Sequence, residues 1–181
     1  MKISLYWLYL KNCLRTCFLK LRYGKKISLS FLECFSGRCK FSIKKSGKIN
    51  IYEKVESRDN LYLLAHGGEI SIGSHCFFNI NCCVTSVENI TIGKNCKFGN
   101  NLVIVDHDHN YKNIGNQEFL SEPIVIGNNV WVGANCTILK GSTIGNNAVI
   151  AAGSIVKRNV LDNEIYFGTK MLNKIMEREI K

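Results

Sequence analysis

Proline is almost missing from this chain: Pro123 stands alone among 181 residues, against fifteen glycines. That skew excludes a proline-rich linker and points to regular structure. No run approaches the roughly eighteen uncharged apolar residues that a membrane-spanning helix needs. The nine cysteines are odd in number, and the adjacent pair Cys82-Cys83 lacks zinc-site spacing. No small-residue cleavage site follows the short apolar start of the chain, so a signal peptide is not expected. A reducing compartment, the cytoplasm, is expected rather than a disulfide framework. Acidic residues are nearly absent from the first part of the chain. Residues 1–50 hold twelve Lys and Arg and the single acid Glu33, a net of +11; the remainder holds twelve basic and thirteen acidic residues, a net of −1. The overall charge of +10 is therefore a local feature, and it does not support nucleic-acid binding by the nearly neutral body. With 46% apolar residues the chain can build a core, and its length suits one domain with a short appendage.

What the chain has in abundance is a period of six. Steps of six from Ile126 meet Val132, Ile138, Ile144, Ile150 and Val156. Steps from Ile92 meet Phe98 and Ile104, and steps from Ile72 meet Phe78 and Val84; from Ile51 a weaker echo runs through Ser57 and Leu63. Three residues beyond these apolar positions stand His75, Asn81, Asn95, Asn101, Asn129, Asn135, Gly141, Asn147, Gly153 and Asn159. These residue types tolerate a positive φ, as a corner requires. The next column is mostly small: Cys76, Cys82, Cys96, Leu102, Val130, Cys136, Ser142, Ala148, Ser154 and Val160. Six residues thus make one short strand and one corner, and three hexads close a triangular coil. The hexads group as 72–89, 92–109, 126–143 and 144–161, with a weaker coil near 51–66 and room for one before it. Cys76, Cys82, Cys96 and Cys136 then read as small interior hydrophobes rather than nucleophiles.

The repeat breaks after Ile104 and resumes at Ile126, sixteen residues later than the period predicts. The insert, about 105–123, carries His107 and His109, two of the four histidines, and Pro123. A solenoid gains no stability by extruding a long polar loop, and such loops commonly carry function.

The stretch Asp106-His-Asp-His-Asn-Tyr111, followed by Pro123-Ile-Val-Ile-Gly-Asn-Asn-Val-Trp-Val-Gly-Ala134, resembles the sugar O-acetyltransferases of the hexapeptide-repeat superfamily. The resemblance covers roughly residues 47–160. It implies an all-β solenoid, a left-handed parallel β-helix, and the handedness comes from the resemblance alone because a period does not set it. The expected organisation is a basic helical arm with an irregular first coil over 1–46, the solenoid over 47–161, and a tail with a short helix over 162–181. The implied activity is transfer of acetyl from acetyl-CoA to a sugar hydroxyl, of a bacterial surface polysaccharide or its precursor. The resemblance also implies a homotrimer with coenzyme A sites between solenoids, and no metal.

Such a transfer requires removing a proton from a hydroxyl of very high pKa as it attacks a thioester, and imidazole is the side chain best matched to this near neutral pH. The resemblance makes one loop histidine the base. His107, three residues past the last regular position, is the first candidate; counting forward from Ile92 without a gap favours His109. Asp106 is placed with the acceptor site, and Asp106 or Asp108 is in reach of orienting an imidazole, although an exposed Asp beside a His is more often merely solvated. Asn79 matches an asparagine of the acceptor cleft. The N–H of Ala134 matches an oxyanion donor, and Trp131 the aromatic beside the pantetheine arm. Ala152, Lys157 and Arg158 match positions lining the coenzyme A channel. His66 and His75 read as structural. The chain departs from the family pattern at its end, where no proline follows the last coil; Lys170 and Lys174 are candidates for the nucleotide end of coenzyme A, and residues 169–180 for a short helix capped by Thr169.

Residues 4–22 predict a helix with Trp7, Leu10, Leu14, Phe18 and Leu21 near one face and Lys11, Arg15 and Arg22 near another. Two roles stay open. Residues 1–26 suit peripheral contact with the anionic inner face of the plasma membrane. Alternatively the helix packs on a neighbouring subunit or on the open end of the solenoid. Among competing functions, a serine O-acetyltransferase requires a long helical N-terminal domain that the first 47 residues do not supply. A metal-binding hydratase on the same fold lacks a third histidine ligand. A non-catalytic solenoid scaffold remains the reading from a different class.

Overall fold

The computed structural model describes residues 2–31, 33–110 and 119–168. The expected C-terminal helix, with Lys170 and Lys174, lies outside the described residues, as does Tyr111. The body is the parallel β-helix implied by the hexad period, left-handed as the resemblance implied. One coil passes through Glu69–Ile72 on the first face, Phe77–Phe78 on the second and Cys82–Ser86 on the third. The next coil, Asn89–Ile92, Lys97–Phe98 and Val103–Val105, stacks on it in parallel, with Ile90 on Ile70, Phe98 on Phe78 and Ile104 on Val84. The Phe78 and Phe98 rings stack at 4.6 Å between centroids. Every apolar residue of the six-step column from Ile126 to Val156 is buried, as is the whole small column beside it, including Cys76, Cys82, Cys96 and Cys136. Burial pushes the Cys82 thiol up to about 11 and also raises Cys136, so both stay protonated, as packing residues should.

The corners bear out the turn chemistry at nine of the ten expected positions: His75, Asn81, Asn95, Asn101, Asn129, Asn135, Gly141, Asn147 and Gly153 all have positive φ. Asn159 does not; Asn163, at φ 61°, takes the last corner instead. The corner asparagines also bond one another along the stack. Asn60, Asn81, Asn101 and Asn135 donate amide to carbonyl in series at 2.8–3.1 Å, and Asn95, Asn129, Asn147 and Asn163 do the same at 3.0–3.1 Å. Asparagine thus supplies both the left-handed backbone and a ladder along each corner. Asn101→Ala, which loses both, is expected to destabilise the fold by about 1–3 kcal/mol in denaturant unfolding, and Asn101→Gly by less. Equal losses for the two variants would locate the effect in the ladder alone.

The solenoid is longer than the period shows. A full coil, Ile27–Leu29, Cys34–Phe35 and Cys39–Lys44, precedes residue 47, and Ile165–Tyr166 extends the second face beyond residue 161. The column is blurred there because Lys45 and Lys54 occupy left-handed corners and Ser57 stands among the inward positions. The expected boundaries therefore shift, since residues 27–44 and 162–168 belong to the stack.

A helix, Lys2–Tyr23, covers the open end of the first coil. It buries Leu19 but also the polar Asn12 and Thr16. Asn12 accepts the Phe35 N–H at 3.3 Å. Arg15 donates to the carbonyls of Phe35 and Gly37, both at 3.3 Å, with its guanidinium 5.8 Å from the centre of the Phe35 ring. Tyr23 donates to the Phe41 carbonyl at 3.2 Å. The end-capping role left open by the sequence is thus present, and Arg15 faces the solenoid rather than any outer surface.

Glu33 is the oddity of this seat. It is 1% exposed, and neither carboxyl oxygen has a hydrogen-bond partner of good geometry among the described residues. Burial raises its pKa to about 7, offset only in part by the nearby amides of Glu33 and Ser30 and the charge of Lys20. From its ordinary value of 4.5 up to about 7, the folded chain holds a proton that the unfolded chain has lost. Stability contributed by this group therefore falls as pH rises across that window and stays low above it. Glu33→Gln is expected to raise the melting temperature at pH 8 and to change it little at pH 4; a gain equal at both values would refute the buried carboxyl as its source.

Candidate active site

The interruption leaves the solenoid where the third face turns toward the first. Val103–Val105 ends there, Asp106 follows, and His107–His109 pairs antiparallel with Phe119–Ser121, His107 opposite Ser121 and His109 opposite Phe119. The expected extruded loop is therefore a two-stranded arm at its base. It is tied down by backbone bonds from Glu122 N–H to the Asp106 carbonyl at 3.0 Å and from Gly141 N–H to the Glu122 carbonyl at 3.3 Å. Lys140 lies 3.4 Å from Glu122 and 3.7 Å from Asp108.

Asp106 departs from its expected exposure. It is fully buried, so its carboxylate does not face an acceptor. Its Oδ2 accepts the Ser86 hydroxyl at 2.6 Å and the Glu88 N–H at 3.0 Å; its Oδ1 accepts the Val87 N–H at 2.9 Å and meets His107 Nδ1 at 2.9 Å. A carboxylate held as acceptor by three other donors imposes the proton on Nδ1 of His107. Nε2 is then left with a free lone pair, the tautomer a general base needs. The His107 side chain is 16% exposed, so it is fixed yet reachable. His109 is exposed, and no carboxylate bonds its ring among the described residues. The structure thus separates the two loop histidines that the sequence left open.

Two further residues, Phe119 and His66, stand at this corner. The Phe119 ring meets His107 edge-on at 4.7 Å and His109 at 5.0 Å, and reaches His66 at 6.2 Å. His66, expected to be structural, closes the strand Leu61–His66 and lies on the same edge of the third face. Burial lowers its pKa, helped by the charges of Lys45, Lys44 and His107. No sequence signal marks this pair, because the two rings are far apart along the chain and meet only across the arm.

The remaining candidates divide between two corners. Lys157 and Arg158 follow Ile155–Val156 on the His107 edge, two coils further along. Arg158 is already engaged: it donates to Glu164 at 2.9 Å and to the Asn159 carbonyl at 2.6 Å, and its guanidinium lies 4.7 Å from the centre of the Tyr166 ring. It fits a phosphate poorly, whereas Lys157 is exposed. Asn79, Trp131, Ala134 and Ala152 stand at or beside the other corner, between the second and third faces. Trp131 is 58% exposed on the second face. A Cβ on Gly99 would lie 2.6 Å from the Ala134 nitrogen, and one on Gly133 2.6 Å from the Ala152 nitrogen, so small residues keep this corner narrow. The Ala134 N–H has no acceptor among the described residues. A strand of the third face separates the two corners, a distance on the order of 15 Å. One chain therefore does not bring its base and its expected coenzyme A groove together. Among the described residues, no three His, Cys, Asp or Glu side chains gather as a metal site.

Two family models match the stack: Bacterial transferase hexapeptide (six repeats) over residues 123–158, and Hexapeptide repeat of succinyl-transferase over 69–105. The putative lipopolysaccharide biosynthesis O-acetyl transferase WbbJ of Escherichia coli K12 is 31% identical over 140 residues, 70% of each chain. This chain belongs to the hexapeptide-repeat acyltransferase family. Among its relatives, the galactoside O-acetyltransferase of Escherichia coli K12 is 35% identical over 119 residues, and the match spans 64% of this hexapeptide-repeat chain and 59% of that enzyme. A maltose O-acetyltransferase from Clostridium difficile 630 is similar in structure, with a TM-score of 0.51 at 28% identity over 73% of this chain and 63% of that one.

Proposed function

We propose that this protein is an acetyl-CoA-dependent O-acetyltransferase acting on a sugar hydroxyl of a bacterial surface polysaccharide or its lipid-linked precursor, as a cytoplasmic homotrimer. The observation that carries the proposal is the buried Asp106 carboxylate 2.9 Å from His107 Nδ1, at the one long break in a hexapeptide solenoid. His107 Nε2 takes the hydroxyl proton as the sugar oxygen bonds to the thioester carbonyl carbon. The Ala134 N–H of a neighbouring chain steadies the oxyanion. As the carbonyl re-forms, the carbon–sulfur bond breaks, and the imidazolium returns its proton to the departing thiolate. No acyl-enzyme is formed. The narrow alanine and glycine corner beside Trp131 fits a pantetheine arm, and the exposed Lys157, on the His107 edge, offers a cation to a phosphate. Relatives named for galactoside, maltose and lipopolysaccharide acetylation support the acceptor class.

The trimer is supported by the division of the site between two corners of one chain. Incubating the purified protein with acetyl-CoA and a panel of sugar acceptors is expected to release thiol and to yield an acetyl ester by mass spectrometry. Light scattering at the assay concentration is expected to give three chains. A monomer with full activity would overturn the shared site, and thiol release without an acetylated sugar would overturn the acceptor class.

A further inference from the structure

The capping helix is amphipathic in an unusual sense. Its inward side is largely polar, through Asn12, Arg15 and Thr16, while its outward side carries Trp7, Leu10, Leu14, Phe18 and Leu21. These five are spaced three, four, four and three residues apart, which places them in one stripe on a helix of about 3.6 residues per turn. All are exposed, from Leu10 at 49% to Leu21 at 87%. Among the described residues nothing covers the stripe, and an exposed apolar face of this size marks an interaction surface. Around it are Lys11 and Arg22 at its edge, then Lys25 in the turn that follows, all exposed. No acid precedes Glu33, which is buried behind the helix.

We propose that this outward face docks the enzyme on an anionic lipid bilayer, with the helix lying in the plane of the interface. The occupant follows from the two properties together. Nucleic acid offers the negative charge but nothing to bury five large apolar side chains. A second copy of the same face offers the apolar area but sets its own cations against these, since a two-fold contact is made between identical patches. A bilayer with acidic headgroups supplies both an apolar depth and complementary charge. Tyr6, Trp7 and Tyr9, all exposed, are at the end of the helix where interfacial aromatics anchor such segments. The helix does not cross: among the described residues no helix is long and apolar enough to span. The solenoid then stands end-on to the membrane with its first coil nearest the lipid. This deepens the reading above by naming the surface where a lipid-linked acceptor is met, and rests on that reading for the choice of leaflet alone.

Removing the helix is a poor test, because it also uncaps the core. Substitutions on the outward face leave the inner contacts intact. The full chain is expected to float with vesicles of phosphatidylcholine and phosphatidylglycerol, not with phosphatidylcholine alone, and to be released by high salt. Trp7→Ser/Leu14→Ser/Phe18→Ser is expected to weaken vesicle binding at least ~100-fold, and Lys11→Glu/Arg22→Glu at least ~30-fold, with unchanged melting temperatures. Acetyl transfer to a soluble sugar, measured in parallel, is expected to be unaffected by either variant. Loss of that transfer in the wild type would count against the enzyme reading and leave the docking result standing. The docking proposal is overturned if the wild type ignores anionic vesicles, or if the variants bind as well as it does. It is equally overturned if the apolar variant instead shrinks the protein's oligomeric mass, which would make the stripe a contact between copies.

Discussion

His107→Ala is expected to lower acetyl transfer by about 10²–10⁴, the usual contribution of a positioned general base, with little change in melting temperature. The size follows from the geometry. Asp106 is held by Ser86, Val87 and Glu88 and fixes Nδ1 of the ring, so Nε2 alone is left for the acceptor. The ring projects from the end of the third face; it meets the half-buried Phe119 and the buried Asp106, which keeps three other donors when the ring is removed. His109 lacks an orienting carboxylate, and His109→Ala is expected to cost less than about tenfold. Initial rates against a saturating acceptor decide the matter. Should His109→Ala carry the large loss and His107→Ala the small one, the base has been placed on the wrong imidazole.

Asp106→Asn is expected to lower transfer by about 10²–10³ although the substituted side chain touches neither substrate. An amide nitrogen at the Oδ1 position would donate to Nδ1, driving the ring proton to Nε2 and removing the base. At the Oδ2 position it would face the Glu88 N–H, donor against donor. Either outcome also weakens the corner, so a loss of about 1–3 kcal/mol in unfolding accompanies the loss of rate. A structural role alone predicts the second effect without the first. Because Asp106 acts through His107, the double variant His107→Ala/Asp106→Asn should transfer no more slowly than His107→Ala alone. Multiplying losses in the double variant would mean that Asp106 acts on something other than the ring.

The fold was legible because one residue type did two jobs. Asparagine at the corners marks the left-handed backbone, and the aliphatic column between corners marks the interior, so the period could be read without any pairing information. Where other residues took over, at Lys45, Lys54 and Ser57, the coils were present but only faintly readable. The candidate base was legible as a choice of two, since a broken repeat carrying paired histidines is a local signal. What separates the two is a carboxylate whose partners lie some twenty residues back along the chain, at Ser86, Val87 and Glu88. Only the stacking of one coil on the next brings them to Asp106, and the burial of that aspartate reverses what its polar surroundings in the sequence suggest. The same holds for Phe119 and His66, which meet across the arm. The helix was legible as a helix with two faces, but composition could not tell which face turns inward, because the buried one is the more polar.

That polarity has a consequence for assembly. A stack of parallel coils has no natural last rung: each coil ends in free amide and carbonyl groups ready to pair with another, and an exposed end of this kind is a template for fibre growth. Asn12 meets the Phe35 N–H, Arg15 the Phe35 and Gly37 carbonyls, and Tyr23 the Phe41 carbonyl. These are side chains occupying the places that an additional coil would fill with main chain. The helix is in this sense a counterfeit rung, one that accepts the stack below it and offers no edge above, and it sets the length of the solenoid at that end.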